Sequence, residues 1–136
     1  MAHIYSYLTF NGNCRKAMTF YQHCLGGELK FQTIGETPLT DKMTDKMKSY
    51  IVQATLTKGD LILIATDLVT DEGLTKGNAV SLLLNCSSEE ELNAYYNKLS
   101  VGAKATQAAE VNFWDTLFAS ITDEFGNNWL LNYNRN

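Results

Sequence analysis

Residues 7–27, YLTFNGNCRKAMTFYQHCLGG, decide the fold, because the chain writes their grammar a second time. Tyr7–Phe10 reads as a short strand, Asn11-Gly12-Asn13 as a turn, and Arg15–Leu25 as an amphipathic helix stopped by Gly26-Gly27. Residues 81–102, SLLLNCSSEEELNAYYNKLSVG, follow the same order. Adding 74 to Leu8, Phe10, Asn11, Met18, Tyr21 and Leu25 gives Leu82, Leu84, Asn85, Leu92, Tyr95 and Leu99. Identity between the copies is modest, but strand, turn and helix fall in the same places.

Working outward, residues 3–10 extend the first strand, and Asn13 is expected to cap the helix through its side-chain oxygen. Ala17, Phe20, Tyr21, Cys24 and Leu25 form one helical stripe, and Glu28–Ile34 reads as a second strand. Tyr50–Thr57 and Asp60–Asp67 form a hairpin closed near Lys58-Gly59-Asp60. In the second half, Val80–Asn85 is a strand, and Ser87 or Ser88 with Glu90 or Glu91 makes a capping box. Leu92, Tyr95, Tyr96 and Leu99 form that helix's buried stripe, and Ala103–Gln107 is a short strand. Asn112–Thr122 and Asn127–Tyr133 make a closing hairpin around Asp123–Gly126. Subtracting 67 maps Gly126, Leu130 and Leu131 onto Gly59, Leu63 and Ile64. Each half is therefore strand–helix–strand–strand–strand, and one such unit cannot bury both faces of its sheet. The expected class is α+β, one domain over 1–136, with module one at 1–67, a linker at 68–78 and module two at 79–136.

Residues 35–49 break the pattern, with the single proline and a tandem tetrapeptide, Thr40–Met43 and Thr44–Met47. The plain reading is a solvated connector with one loose helical turn. The functional one is a lid with Met43 and Met47 one turn apart over an apolar cavity.

Composition narrows the partners. The net charge of -4 and the absence of a basic cluster argue against nucleic acid. The longest apolar runs, Leu61–Ala65 and Leu82–Leu84, are far too short to span a bilayer. The opening residues lack a basic segment followed by an apolar one, so a cytoplasmic location is expected. Cys14 and Cys24 stand about 15 Å apart along one helix at 1.5 Å per residue, beyond disulfide reach. An odd count of three cysteines without a CxxC spacing argues against a zinc knuckle as well.

A tandem of βαβββ modules resembles the vicinal oxygen chelate superfamily, which includes glyoxalase I, bleomycin-resistance proteins and extradiol dioxygenases. Within it the chain is similar to the PhnB-like branch. The likeness rests on YLTFNGNCRKAMTFYQHCLGGEL at 7–29, GDLILIATD at 59–67, VSLLLNCSSEEE at 80–91 and FWDTLFASITDEFGNNWLLN at 113–132. It implies a cupped eight-stranded mixed sheet with helices outside and a ligand cleft inside. Enzymes of the superfamily hold a divalent metal with His, Gln or Glu, one ligand from the first strand and one from the last strand of each module. Carried onto this chain, those positions fall on Ser6, Leu63, Val80 and Leu130. Leu63, Val80 and Leu130, and their neighbours Ile62, Ile64, Ala79, Trp129 and Leu131, offer no lone pair for a cation, so no metal and no cofactor are expected. Relatives of the branch often carry a ubiquinone-methyltransferase label, yet the chain has no glycine-rich strand–helix turn of a Rossmann-type methyltransferase.

Strand parity, with Ser6 and Leu130 set inward, places Leu8, Phe10, Leu61, Leu63, Ala65, Leu82, Leu84, Asn128 and Asn132 in the cleft. It places Tyr7, Ile62, Ile64, Trp129, Leu131 and Tyr133 under the helices. Phe113 and Trp114, at a strand start, would wall the mouth. The expected ligand-binding set is thus Ser6, Leu8, Phe10, Leu63, Phe113, Trp114, Asn128, Leu130 and Asn132, for a small, largely apolar or aromatic molecule. A metal-assisted lyase, isomerase or dioxygenase and a non-catalytic drug-sequestration protein are the alternatives. His3 and His23 read as surface or interface histidines, and Cys14 as a structural cysteine, its reactive alternative being a helix-start thiolate. The superfamily's habit of sharing clefts between subunits, with apolar Met43, Met47, Phe113 and Trp114, implies a homodimer.

Overall fold

The structure, a computed structural model, describes residues 1–36 and 44–135. The sequence's lid segment falls partly outside the described residues, Met43 included. The chain divides into two units, Met1–Thr75 and Lys76–Asn136. In the first, β1 (Ser6–Thr9) leads to α1 (Cys14–Leu25), β2 (Glu28–Thr33), the short helix α2 (Asp45–Lys48), β3 (Ile51–Lys58) and β4 (Leu61–Thr66). In the second, β5 (Leu82–Asn85) leads to α3 (Glu89–Leu99), β6 (Ala105–Val111), β7 (Thr116–Thr122) and β8 (Asn128–Asn134). The α+β class and the two tandem βαβββ modules are as the sequence indicates. The eight strands of the described residues form two mixed sheets of four, ordered β1-β4-β3-β2 and β5-β8-β7-β6. Among the described residues, only the β1–β4 and β5–β8 pairs are parallel. No helix among the described residues is long and apolar enough to cross a membrane.

Each sheet carries its helix on one face. Cys14, Ala17, Met18, Tyr21, Cys24 and Leu25 form the buried side of α1, which packs on β2, β3 and β4. Leu92 and Leu99 anchor α3 on β7 and β8. At the end of α1, a Cβ on Gly27 would lie 2.5 Å from the Thr57 carbonyl oxygen, so no other residue fits the backbone approach at φ +99°. The Lys58 ammonium donates to the Leu25 carbonyl at 2.9 Å, satisfying an orphan group of the helix C-terminus.

The cap of α1 differs from expectation. The Asn13 side chain makes no capping bond. The acceptor is instead the buried carboxylate of Asp67, just beyond β4, whose Oδ1 takes the N–H groups of Gly12 and Cys14, both at 2.9 Å. Its Oδ2 takes the N–H of Ile51 at 2.9 Å, and its own N–H returns to the Ile51 carbonyl. The capping box of α3 forms locally as expected, Ser88 Oγ accepting from the Glu91 N–H and Glu91 Oε1 from the Ser87 N–H. Replacement of Asp67 by alanine would leave three N–H groups in need of partners. Urea unfolding of Asp67→Ala should show a loss of about 3 kcal/mol, and a loss below roughly 1 kcal/mol would refute the role assigned to the carboxylate.

Candidate functional site

Strand register assigns every side chain to a face. In module one, Ser6 pairs with Leu63 and Leu8 with Ala65, while Leu63 pairs with Leu56 and Ala65 with Ala54. Leu29 and Phe31 of β2 complete that face. The Arg15 guanidinium of α1 lies 4.6 Å from the centre of the Phe31 ring, which identifies this as the helix-covered face. Ser6, Leu8 and Leu63 therefore lie on the face of the sheet that carries α1, and Phe10 is buried beyond the strand end. This corrects the sequence-based phase for all four, and for Leu61 and Ala65 with them. Tyr7, Ile62 and Ile64, expected under the helix, are on the opposite face, beside Thr55, Thr57 and Gln53. Tyr7 is 59% exposed there.

Module two splits the expectation. Leu82 and Leu84 pair with Trp129 and Leu131, which pair in turn with Ile121 and Ala119. This is the face buried against α3, so Trp129 and Leu131 stand where the sequence put them while Leu82 and Leu84 do not. On the helix-free face, Asn132 lies between Asn85 and Phe118, Leu130 between Leu83 and Ser120, and Asn128 beside Thr122. The Asn132 side-chain amide donates to Asn85 Oδ1 at 2.9 Å, and the Thr122 hydroxyl donates to Asn128 Oδ1 at 2.8 Å. Gln107, beside Ser120 on β6, and Ser120 and Thr122 themselves were not singled out in the sequence. The alternation of Thr116–Thr122, with Leu117, Ala119 and Ile121 buried, is the signal that could have found them.

Phe113 and Trp114 do not begin a strand. Asn112 Oδ1 accepts from the N–H groups of Trp114 and Thr116 at 3.0 and 3.1 Å, closing a tight β6–β7 turn. Asp115 takes a positive φ of 56° in that turn. The two rings meet edge-on at the tip, 99% and 74% exposed, rather than walling a groove. Met47, on α2, is also exposed.

The donor set does not fit the metal that enzymes of this fold hold. The strands that would supply ligands present Tyr7, Ile62, Ile64, Leu83, Leu130 and neutral asparagines on their helix-free faces. None offers an imidazole, carboxylate or thiolate. His3 and His23 are exposed, His23 in the last turn of α1. Asp123, expected only as a turn residue, is a buried carboxylate that accepts from the N–H groups of Phe125 and Asn127 and from Trp129 Nε1 at 2.8 Å. Gly126 takes the positive φ of that turn.

Cys14 is fully buried, and burial, then the charge of Asp67, push its thiol up to about 12 against the opposing pull of Arg15. The helix-start location does not make it a thiolate. Burial likewise raises Cys86 to about 11.

A family model described as 3-demethylubiquinone-9 3-methyltransferase matches residues 2–131. Protein PA1353 from Pseudomonas aeruginosa has 32% identity and a TM-score of 0.83, with 98% of each chain covered. Protein YjdN of Escherichia coli (strain K12) is 27% identical over 134 residues, 93% of this chain and 91% of its own. The PhnB protein from Bacillus cereus has 21% identity and a TM-score of 0.69, covering 97% of this chain and 99% of its own. At lower identity, solved proteins of the glyoxalase, bleomycin-resistance and dioxygenase group share the fold.

The thiol positions give a direct check. At pH 8, Cys14 in the native protein should resist iodoacetamide, with labelling appearing only in denaturant, as read by peptide mass mapping. A thiol pKa raised by folding contributes stability that is complete below the unfolded value and is lost as pH rises toward about 12. Stability of the wild type should therefore fall from about pH 9 upward more steeply than that of Cys14→Ala. Rapid native labelling of Cys14, or identical alkaline slopes, would contradict its assigned state.

Proposed function

We propose, for a chain that belongs to the family described as 3-demethylubiquinone-9 3-methyltransferase, the PhnB-like branch of the vicinal oxygen chelate superfamily, that its helix-free sheet faces bind a small, largely apolar or aromatic molecule without a protein-held metal. One observation carries the reading. On the strands where enzymes of the superfamily place metal ligands, this chain presents Tyr7, Ile62, Ile64, Leu83 and Leu130 on the faces away from the helices. Aliphatic and aromatic side chains left half-buried or exposed on a sheet favour an apolar ligand, and asparagine amides beside them orient one. The methyltransferase label is not carried over to an activity. The two mixed four-stranded sheets are not a doubly wound parallel sheet, and the glycine-rich turn that cradles such a cofactor has no counterpart in the sequence.

Sequestration without turnover is the form of this reading that the residues favour. The buried carboxylates of Asp67 and Asp123 hold backbone N–H groups and, in Asp123, an indole. The thiol of Cys14 is buried and protonated at neutral pH.

Indole is a suitable probe. In a titration followed by the amide resonances of 15N-labelled protein, the shifts should map to the helix-free faces around Ile62 and Ile64 or around Leu83 and Leu130. They should be unchanged by EDTA, and the indole should be recovered unmodified. Ile62→Asp or Leu130→Asp, at the face that responds, should weaken binding by about tenfold through lost apolar contact. A footprint on the outer surfaces of α1 or α3, or binding abolished by EDTA, would overturn the proposal.

A further inference from the structure

Module two holds a groove of about 340 Å³ at one end of its sheet, lined by Ser81, Gln107, Ser120, Thr122, Asn128 and Leu130 among others. Its volume is at the low end for small-molecule sites. Register explains why these groups meet. Leu130, Ser120 and Gln107 lie in one row across β8, β7 and β6, and Asn128 and Thr122 lie side by side in the next. The described residues that line the groove are all uncharged, although Lys76, which donates to Asn127 Oδ1, and Lys104, beside Gly126, reach the nearby β7–β8 turn from other segments.

From this, and resting on the ligand-binding reading above, we infer that the groove selects a neutral carbonyl-bearing molecule, with Asn128 as the specificity-determining donor. The Thr122 hydroxyl donates to Asn128 Oδ1 at 2.8 Å, which engages the acceptor end of that amide. The Nδ2 hydrogens are left for the ligand, and they call for an acceptor. Ser120 and Gln107 supply further hydroxyl and amide groups, and Leu130 supplies an apolar contact. A carboxylate or ammonium entering the groove loses hydration without meeting an opposite charge in its lining, whereas a ketone or amide carbonyl has its hydrogen bonds replaced. The groove therefore separates neutral from charged analogues of the same size.

Three probes of nearly equal size test this on the full 15N-labelled chain: benzamide, benzoate and benzylammonium. Benzamide should move the amide resonances of Gln107, Ser120 and Asn128, and the two ions should bind there roughly tenfold more weakly. Asn128→Asp keeps an acceptor for the Thr122 hydroxyl but removes the donor and adds charge. Its affinity for benzamide should fall about tenfold while that for benzylammonium rises. Ser120→Ala, a smaller change on the same row, should weaken benzamide in the same direction. Equal binding of all three probes in the groove, or benzamide affinity unchanged in Asn128→Asp, overturns the inference and leaves the ligand-binding reading standing. Shifts confined to the helix-free face of module one do the same. If no probe moves resonances on either helix-free face, the ligand-binding reading fails, and the inference fails with it.

Discussion

The carboxylate of Asp67 is the constraint on which module one depends. It is buried, and its two oxygens accept three backbone N–H groups, from Gly12, Cys14 and Ile51. Those donors belong to the turn before α1, to the first turn of α1 and to the start of β3. One side chain thus fixes where the helix begins relative to the sheet that it covers. An anionic acceptor suits a helix N-terminus, since the orphan N–H groups and the helix dipole both favour negative charge there. With α1 held in place, Leu56, Leu63, Ala54 and Ala65 are covered, and Tyr7, Ile62 and Ile64 are left on the other face. Asp123 does comparable work at a different place in module two, tying the β7–β8 turn to the buried indole of Trp129.

Most of the fold was legible because it is written in local grammar. The Gly26-Gly27 stop and the Ser88–Glu91 box need only neighbours in sequence and appear where the sequence puts them, while of the expected stripes Ala17, Tyr21, Cys24, Leu25, Leu92 and Leu99 are buried and Phe20, Tyr95 and Tyr96 only half-buried. The cap of α1 was not legible, since its acceptor lies 53 residues from Cys14. Face assignment failed in module one for a related reason. In β4, LILIAT, both faces are aliphatic, so alternation cannot choose between them. In β7, TLFASIT, alternation is clean, and it identifies Ser120 and Thr122 at once.

The two repeat offsets were themselves in conflict. Alternation with period two holds only within a strand, so whether an offset preserves faces depends on the lengths of the loops between the strands. Leu8 and Leu82 do share the helix-covered side, whereas Leu63 and Leu130 lie on opposite sides. The cause is hairpin length. In module one Lys58 pairs with Leu61 across Gly59-Asp60, and in module two Thr122 pairs with Asn128 across residues 123–127. Aligning the hairpins on their glycines therefore shifted the phase. The correction changes which residues face a ligand, but the chemistry at those places stays apolar, because Ile62 and Ile64 replace Leu63.

On the strands where enzymes of the superfamily hold a metal, this chain presents aliphatic, aromatic and amide groups on its helix-free faces. Elemental analysis tests it most directly, on protein purified without chelator and then dialysed against a mixture of zinc, nickel, manganese and iron(II). Well under one equivalent of any of these should remain after removal of free metal. One tightly held equivalent, lost on replacement of a residue on either helix-free face, would contradict it.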